Sequence, residues 1–370
     1  MVGRSEGRTV GPSDGRTATL VIQTAFLGDV VLTTPLLAAL AERHGPVDVV
    51  TTPSAAALLD GHTAVAAVIP YDKRGEDRGW GGLWRLGRKL RARHYGRAYL
   101  PHRSWRSAAL ALLAGARERI GFADSAAAVT YTRRIPRATG GHEVERLLAL
   151  ADPVAGREGG PTVLAAPIPS PAPHPAVHLE LTSGDRAEAD AWLRARGVAP
   201  GFVALAPGSI WGTKRWPGYA ELAAALEGPV VILGGREDEA LAGAVAAAAP
   251  GRAHSAAGAI GLRTSAALIE RAAVLVTNDS APLHLATAVG TPVVALFGPT
   301  VPAFGFGPRG PRDLVVEHSS LPCRPCSAHG PEVCPLGHHR CMKELSVAAV
   351  LSAVASVSDL EAHRAIRTGH

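Results

Sequence analysis

The stretch 274–300, VLVTNDSAPLHLATAVGTPVVALFGPT, constrains this 370-residue chain more than any other. It reads as a buried strand (VLVT), a polar turn (Asn278-Asp279-Ser280), a short helix and a second buried strand (PVVALF) ending in Gly298-Pro299-Thr300. Asp279 or Ser280 is placed to cap the helix, Pro282 suits its first turn, and Gly290 suits the position just past its end. Strand, capped helix and strand make one βαβ step of a parallel sheet. In such sheets ligands bind at the carboxyl ends of the strands, where free helix N–H groups favour anions. Asp279, Ser280 and His284 lie at that end, so an anionic, nucleotide-bearing ligand is the first expectation. The same residues would also serve as an ordinary helix start.

The rest of the chain repeats this rhythm. Strands are expected at 19–23, 47–51, 67–71 and 97–101, with helices at 30–43, 54–59, 82–93, 104–114 and 142–151. Residues 153–178 are dense in proline and cannot carry a central strand or helix. The rhythm restarts with a helix over 183–196, strands at 202–207 and 229–235, and helices at 218–226, 237–248 and 263–272. An α/β fold of two doubly wound parallel sheets follows, which suits the length prior of two domains. The expected division is a disordered tail at 1–17, a first domain at 18–160, a Pro-rich linker at 161–178 and a second domain at 179–370. The last helical stretch, 347–357, is free to cross back over the cleft between the halves.

No apolar run reaches membrane-spanning length, since the one from Leu20 meets Asp29 after nine residues. Residues 1–17 are polar and read as a loose tail rather than a signal peptide. The four cysteines give no sign of a secreted disulfide scaffold, so a cytoplasmic protein is expected. Charge is uneven: residues 72–137 hold 16 Lys and Arg against 5 Asp and Glu, in a chain whose total is only +6. A basic region inside one domain points to an acidic partner such as a phosphorylated glycolipid, a membrane surface or nucleic acid. Solvated arginines on Ala-rich helices would look the same.

Three further segments carry chemistry. The first strand runs into Thr24-Ala25-Phe26-Leu27-Gly28-Asp29, where Gly28 permits a tight turn and Asp29 begins the next helix. A carboxylate there is either a helix cap or a general base for a hydroxyl. The glycines of a dinucleotide fingerprint are missing, which argues against a nicotinamide enzyme. The loop 207–217, PGSIWGTKRWP, follows a strand and precedes a helix. Ser209 and Thr213 offer hydroxyls, Gly208 and Gly212 backbone N–H groups, and Lys214 and Arg215 charge, together a clamp for a diphosphate. It is not a Walker loop, so ATP hydrolysis is not indicated. After the strand 229–235, Glu237 could hold a ribose or merely suit a helix start. Cys323, Cys326, Cys334 and Cys341 could ligate a structural zinc or form a small packed, oxidisable lobe. Four thiolates would leave such a zinc no open position for catalysis.

Taken together, LGDVVLTTPLLAAL, HEVERLLAL, PGSIWGTKRWP, LGGREDE, the 274–300 segment and CRPCSAHGPEVCPLGHHRCM resemble the ADP-heptose:lipopolysaccharide heptosyltransferases of glycosyltransferase family 9, especially the heptosyltransferase II type. The resemblance spans roughly residues 19–350. It implies the GT-B fold, two Rossmann-like domains facing a cleft, and inverting, metal-independent transfer of heptose from ADP-heptose to the Kdo-lipid A inner core of lipopolysaccharide. Asp29 falls on the family's proposed base, Lys214 on its diphosphate-binding lysine, and Glu237 on the acid near the ADP ribose. Asp279, Ser280, Ala281 and His284 fall on its donor-site pattern, with Ala281 where glycine is commoner. The basic 72–137 region, with Arg103 and Arg106 as acceptor contacts, would then face a phosphate-bearing glycolipid. The enzyme would work peripherally at the cytoplasmic face of the inner membrane, with no nucleic acid partner. Trp80 and Trp84 would suit a sugar or membrane surface, although Trp84, at helical spacing, is expected in the core. A family 9-like transferase for another nucleotide-sugar, or a non-catalytic nucleotide-binding module, are the alternatives.

Overall fold

A computed structural model describes residues 17–152, 176–318 and 320–367, with side chains described through Val357 in the last helix. The expected tail and Pro-rich linker lie outside the described residues, apart from Thr17 and residues 176–178. The first half is built from β1 (Thr19–Ile22), α1 (Leu27–His44), β2 (Val47–Thr51), α2 (Pro53–Ala56), β3 (Val65–Pro70), α3 (Gly79–Arg91), β4 (Arg97–Leu100), α4 (Trp105–Leu113), β5 (Glu118–Phe122), β6 (Arg133–Ile135) and α5 (Glu143–Leu148). The second half follows with α6 (Ser183–Arg194), β7 (Val203–Ala206), α7 (Tyr219–Ala225), β8 (Val230–Ile232), α8 (Glu239–Ala247), β9 (Ala253–Ser255), α9 (Leu262–Arg271), β10 (Val274–Asn278), α10 (Ala281–Val289), β11 (Val293–Phe297) and β12 (Leu314–Glu317). The short α11 (Arg340–Lys343) and the long α12 (Val347–Arg367) close it.

Each half holds a six-stranded sheet, ordered β3-β2-β1-β4-β5-β6 and β12-β11-β10-β7-β8-β9, and every strand pair is parallel. Read from its own first strand, each sheet has the doubly wound order 3-2-1-4-5-6. The topological switch points therefore lie between β1 and β4 and between β7 and β10. Central strands such as β1 and β10 are buried along their whole length, as covering on both faces requires. Four strands were not foreseen: β5, β6, β9 and β12. Three of them are sheet edges, and β6 and β9 are only three residues long. The sequences of β6 (RRI) and β9 (AHS) are too short and polar to read as apolar runs, whereas β12 (LVVE) is apolar but only four residues long.

Alternation along β1 separates two cores. Leu20 and Ile22 face α3 and α4, whereas Val21 faces α1 in a core that continues through Leu283 and Ala286 of α10 into the second half. Within α1, Pro35 cannot donate to the carbonyl of Val31, and the Thr34 hydroxyl donates to it instead at 2.8 Å. The helix runs on through the proline. The last helix does not cross the cleft: Val350, Val354 and Val357 pack into the core of the second sheet with Tyr219 and Val294. Apolar residues at i, i+4 and i+7 give it that face to bury, and the second sheet has one to cover.

Candidate active site

The end of β1 leads through Gln23–Phe26 into α1 at the first switch point. Asp29 is the third residue of that helix and accepts the Phe26 amide at 3.1 Å, so cap and candidate base are one group. Burial is the main reason its carboxyl rises to about 6, and the nearby Glu143 pushes the same way. The Phe26 amide and Arg137 oppose the rise. Glu143 is itself buried and takes Arg137 and Arg146 on one oxygen, the latter at 3.1 Å. The start of α5 is tied to the second half: Arg146 donates to the Phe304 carbonyl at 2.8 Å, and the Glu143 amide to Gly305 at 2.9 Å. His142 contacts the Gly307 carbonyl at 3.1 Å. Asp29 thus lies at the seam between the halves.

Gly28 makes no tight turn; it lies in the first helical turn, and its role is space. A Cβ built there would stand 2.6 Å from His284 Cδ2 and 3.3 Å from Nε2. Only glycine lets α1 and α10 begin against each other. His284 is buried, which drives its pKa down to about 4 although Asp279 pulls it up, so the ring is neutral at pH 7. Gly28→Ala is expected to force these two helix starts apart at an overpacking cost of about 1–3 kcal/mol. A reaction that needs Asp29 held against the start of α10 should slow about tenfold or more. Wild-type kcat/KM together with a wild-type melting temperature would show that the close approach is unimportant.

At the second switch point the loop 207–217 meets the start of α10. Lys214 is buried, and its Nζ donates to the Asp279 carboxylate at 2.6 Å and to the Asp279 carbonyl at 3.1 Å. The same carboxylate oxygen accepts the Thr300 hydroxyl at 2.6 Å. Neither expected cap forms on α10. Asp279 is drawn to Lys214 and Thr300, while Ser280 Oγ lies 3.4 Å from Thr277 Oγ1 and from the Asn278 carbonyl. The leading amides of α10 are left without a side-chain acceptor, beside a lysine with one N–H uncommitted. That combination suits an anion. Ala281 opens the helix, and Gly290 closes it at φ 81° as expected.

Other expected groups are placed differently. Thr213 is buried and its hydroxyl donates to the Pro331 carbonyl, so the free hydroxyl expected for the clamp is committed to anchoring the Cys-rich segment. The Ser209 hydroxyl accepts the Trp211 amide at 3.3 Å, and its carbonyl takes both Nε and Nη2 of Arg215, so Arg215 braces the loop. Glu237 is exposed on a single turn of 3₁₀ helix. Asp238, not singled out from the sequence, lies behind the loop: a Cβ on Gly208 would come within 2.4 Å of its carboxylate. Burial raises the Asp238 carboxyl, although the Gly235 amide donates to it.

The Cys-rich lobe is part of the site's wall. The His339 ring lies 2.7 Å from the Thr213 carbonyl, and the Gly212 amide donates to Glu332 at 3.2 Å. His329 stacks on Trp211 at 6.4 Å and meets Phe26 edge-on at 6.3 Å, linking the two halves. Its cysteines are free thiols, Cys341 buried, Cys326 exposed, Cys323 and Cys334 between. Burial and the neighbouring thiols lift Cys341 to about 11. Among the described residues, no group of three or more His, Cys, Asp or Glu is arranged to hold a metal ion.

On the opposite wall, Arg103 pairs with Asp124 at 2.6 Å, both exposed, and Arg106 is an exposed residue of the first turn of α4. Two groups escaped the sequence reading. Lys73 donates to the Thr24 carbonyl at 2.7 Å, and His102 Nδ1 lies 3.4 Å from the Thr24 hydroxyl. Burial, helped by Lys73 and Arg103, lowers His102 to about 4. Both follow the carboxyl ends of β3 and β4, and that rule, applied to each strand, would have found them. Trp84, expected in the core, is 55% exposed.

The chain as a whole has known counterparts. The profile described as "Glycosyltransferase family 9 (heptosyltransferase)" matches residues 83–334. Lipopolysaccharide heptosyltransferase 2 of Escherichia coli (strain K12) is 30% identical over 299 residues, covering 77% of this chain and 84% of the relative. The structure of E. coli ADP-heptose lps heptosyltransferase II superposes with a TM-score of 0.75 at 25% identity, over 93% of this chain and 99% of the other. That of a family 9 glycosyl transferase from Veillonella parvula DSM 2008 gives 0.79 at 23% identity, over 95% and 100%. The last likeness concerns the fold alone.

Proposed function

Since the chain belongs to glycosyltransferase family 9, we propose that it transfers L-glycero-D-manno-heptose from ADP-heptose to the lipopolysaccharide inner core, as a heptosyltransferase of the second type. The observation that supports the site assignment is that Gly28 of the carboxylate helix lies against His284 of α10, whose first turn follows the Lys214–Asp279 pair at the anion-binding corner of the second half. In this GT-B reading, residues 18–160 hold the acceptor and 179–370 the nucleotide-sugar, with the linker at 161–178 between them.

The step is a single displacement with inversion. An acceptor hydroxyl gives its proton to Asp29 as its oxygen bonds to the anomeric carbon, and the bond from that carbon to the ADP phosphate oxygen breaks. Charge grows on the leaving diphosphate, where the third N–H of Lys214, the leading amides of α10 and the Ser209 loop would receive it. Asp279 and Thr300 act by holding Lys214. Thr213 ties the loop to its wall, and Glu237 is assigned to the ribose. These donors supply the stabilisation, so no catalytic metal is needed.

The deciding experiment is mass spectrometry of the reaction with ADP-heptose and Kdo-lipid A acceptors carrying zero or one heptose. Addition only to the acceptor with one heptose is expected. Addition to the bare acceptor would make it a first-heptose enzyme, and transfer from UDP- or GDP-sugars alone would overturn the donor assignment.

We also assign a structural zinc to Cys323, Cys326, Cys334 and Cys341, which side-chain rotation would have to bring together. The neighbouring thiols, when ionised, strengthen the hold of Cys326 and Cys341 on their protons, a repulsion that a divalent cation relieves. Purified protein should then carry about one zinc that chelators remove, with a drop in melting temperature and weaker ADP binding through the Thr213 anchor. Fully active protein that is free of zinc would exclude it.

A further inference from the structure

Several large apolar side chains remain in solvent; Trp80 (78% exposed), Trp84 (55%) and Leu112 (44%) line one hollow, and Trp105 (54%) precedes its Ala109 by one turn of α4. Two lie on α3 and two on α4. Helix α3 buries Leu83, Leu86 and Leu90 against the sheet, and that stripe is all the core requires. Trp80 and Trp84, four residues apart, form a second stripe, bordering an open apolar hollow completed by Ala109, Leu112 and Leu113. A patch of this kind on a folded chain marks an interaction surface.

Its surroundings are cationic. From Arg78 to Arg91 there are five Arg and Lys and no acid. Arg85 approaches Asp77 at 3.8 Å, whereas Arg78, Arg88, Lys89 and Arg91 form no ion pair among the described residues. The Arg88 guanidinium lies 5.6 Å from the Trp84 ring. Position adds the second constraint. Helices α3 and α4 start at the carboxyl edge of their sheet, the edge on which α1 starts with Asp29, so Trp80 and Trp105 stand near that rim. Both helices pack on the Leu20/Ile22 side of the sheet, away from α10 and the second half.

We propose that the α3–α4 face docks on an anionic phospholipid bilayer, with Trp80, Trp84, Trp105 and Leu112 entering the boundary between headgroups and acyl chains. The unpaired cations then meet lipid phosphates. The proposal rests on the reading of a lipid-anchored acceptor: docking by this face holds the Asp29 rim next to the bilayer from which the acceptor's sugar projects. A basic surface alone would also suit nucleic acid. Tryptophans gathered round an apolar hollow, rather than spaced along a groove as bases stack, favour lipid.

The test is co-sedimentation of the full chain with vesicles of phosphatidylethanolamine and phosphatidylglycerol, against phosphatidylcholine alone. The wild type should bind the anionic vesicles and leave the neutral ones largely free. Trp80→Ser/Trp84→Ser should lower the partition by about tenfold or more, and Arg88→Ser/Lys89→Ser by about fivefold per cation removed. Transfer to vesicle-embedded acceptor should fall in step, while transfer to a deacylated, water-soluble acceptor and the melting temperature stay at wild-type values. Equal losses on both acceptors would overturn the proposal. So would a wild type that ignores anionic vesicles, including one that instead binds DNA in a salt-sensitive way. Vesicle binding without any heptosyl transfer would leave the docking face standing and remove the functional reading.

Discussion

Asp29→Asn is expected to lower heptosyl transfer by two or more orders of magnitude, the scale of a lost general base, while ADP still binds. The same change should make the protein more stable at pH 8. Burial, with Glu143 nearby, puts the folded-state carboxyl at about 6 against an ordinary 3.8, so the fold disfavours the ionised form. That cost is absent below about pH 4, grows as pH climbs to about 6, and stays at about 2–3 kcal/mol above it. Asparagine keeps an oxygen for the Phe26 amide and removes the charge. Its advantage in melting temperature should therefore be present at pH 8 and gone near pH 4. Activity runs the other way: wild-type kcat/KM should fall about tenfold per pH unit below about 6 as the base is protonated. Near-normal turnover in the Asn or Ala variant would rule out Asp29 as the base. An unchanged melting temperature at pH 8 would contradict the strained carboxylate.

Lys214→Ala should have the second largest effect, and it mixes two causes that a further variant separates. Both members of the Lys214–Asp279 pair are buried, each with side chains about one-tenth exposed, and removing the lysine leaves a carboxylate with Thr300 alone. Breaking a buried pair from one side costs about 3–5 kcal/mol. ADP affinity should fall as well, by about tenfold or more, since a charge-assisted contact to the diphosphate is lost. In Lys214→Met/Asp279→Asn no charge is stranded, so much of the stability should return while ADP binding stays weak. Calorimetric titration with ADP decides: full affinity in the double variant would mean that Lys214 serves the fold and not the ligand.

Much of the fold was legible because parallel sheets buried on both faces write themselves as apolar runs. β1, β2, β7, β8, β10 and β11 are of that kind, and the helices between them carry 3.6-residue stripes. The edge strands β6 and β9 were not, because a strand bounded by solvent needs few apolar residues, and β12, though apolar, is a run of only four residues. Trp84 was misjudged for a related reason: periodicity places it on a helix face but does not say whether a neighbour covers that face.

The candidate site divides along the same line. Order along the chain places Asp29, the 207–217 loop and the 278–284 turn after strands, and the parallel-sheet rule puts all three at carboxyl ends without coordinates. Which polar atoms stay free was decided only in three dimensions. Asp279 looked like a cap until Lys214 and Thr300 claimed it, Thr213 looked like a phosphate ligand until its hydroxyl donated to the Pro331 carbonyl, and Gly28 looked like a turn until His284 filled the space beside it. Local sequence sets backbone geometry because its forces act over a few residues. A side chain's partner is chosen by whatever distant segment the packing delivers, and here the segments lie 21 to 256 positions away.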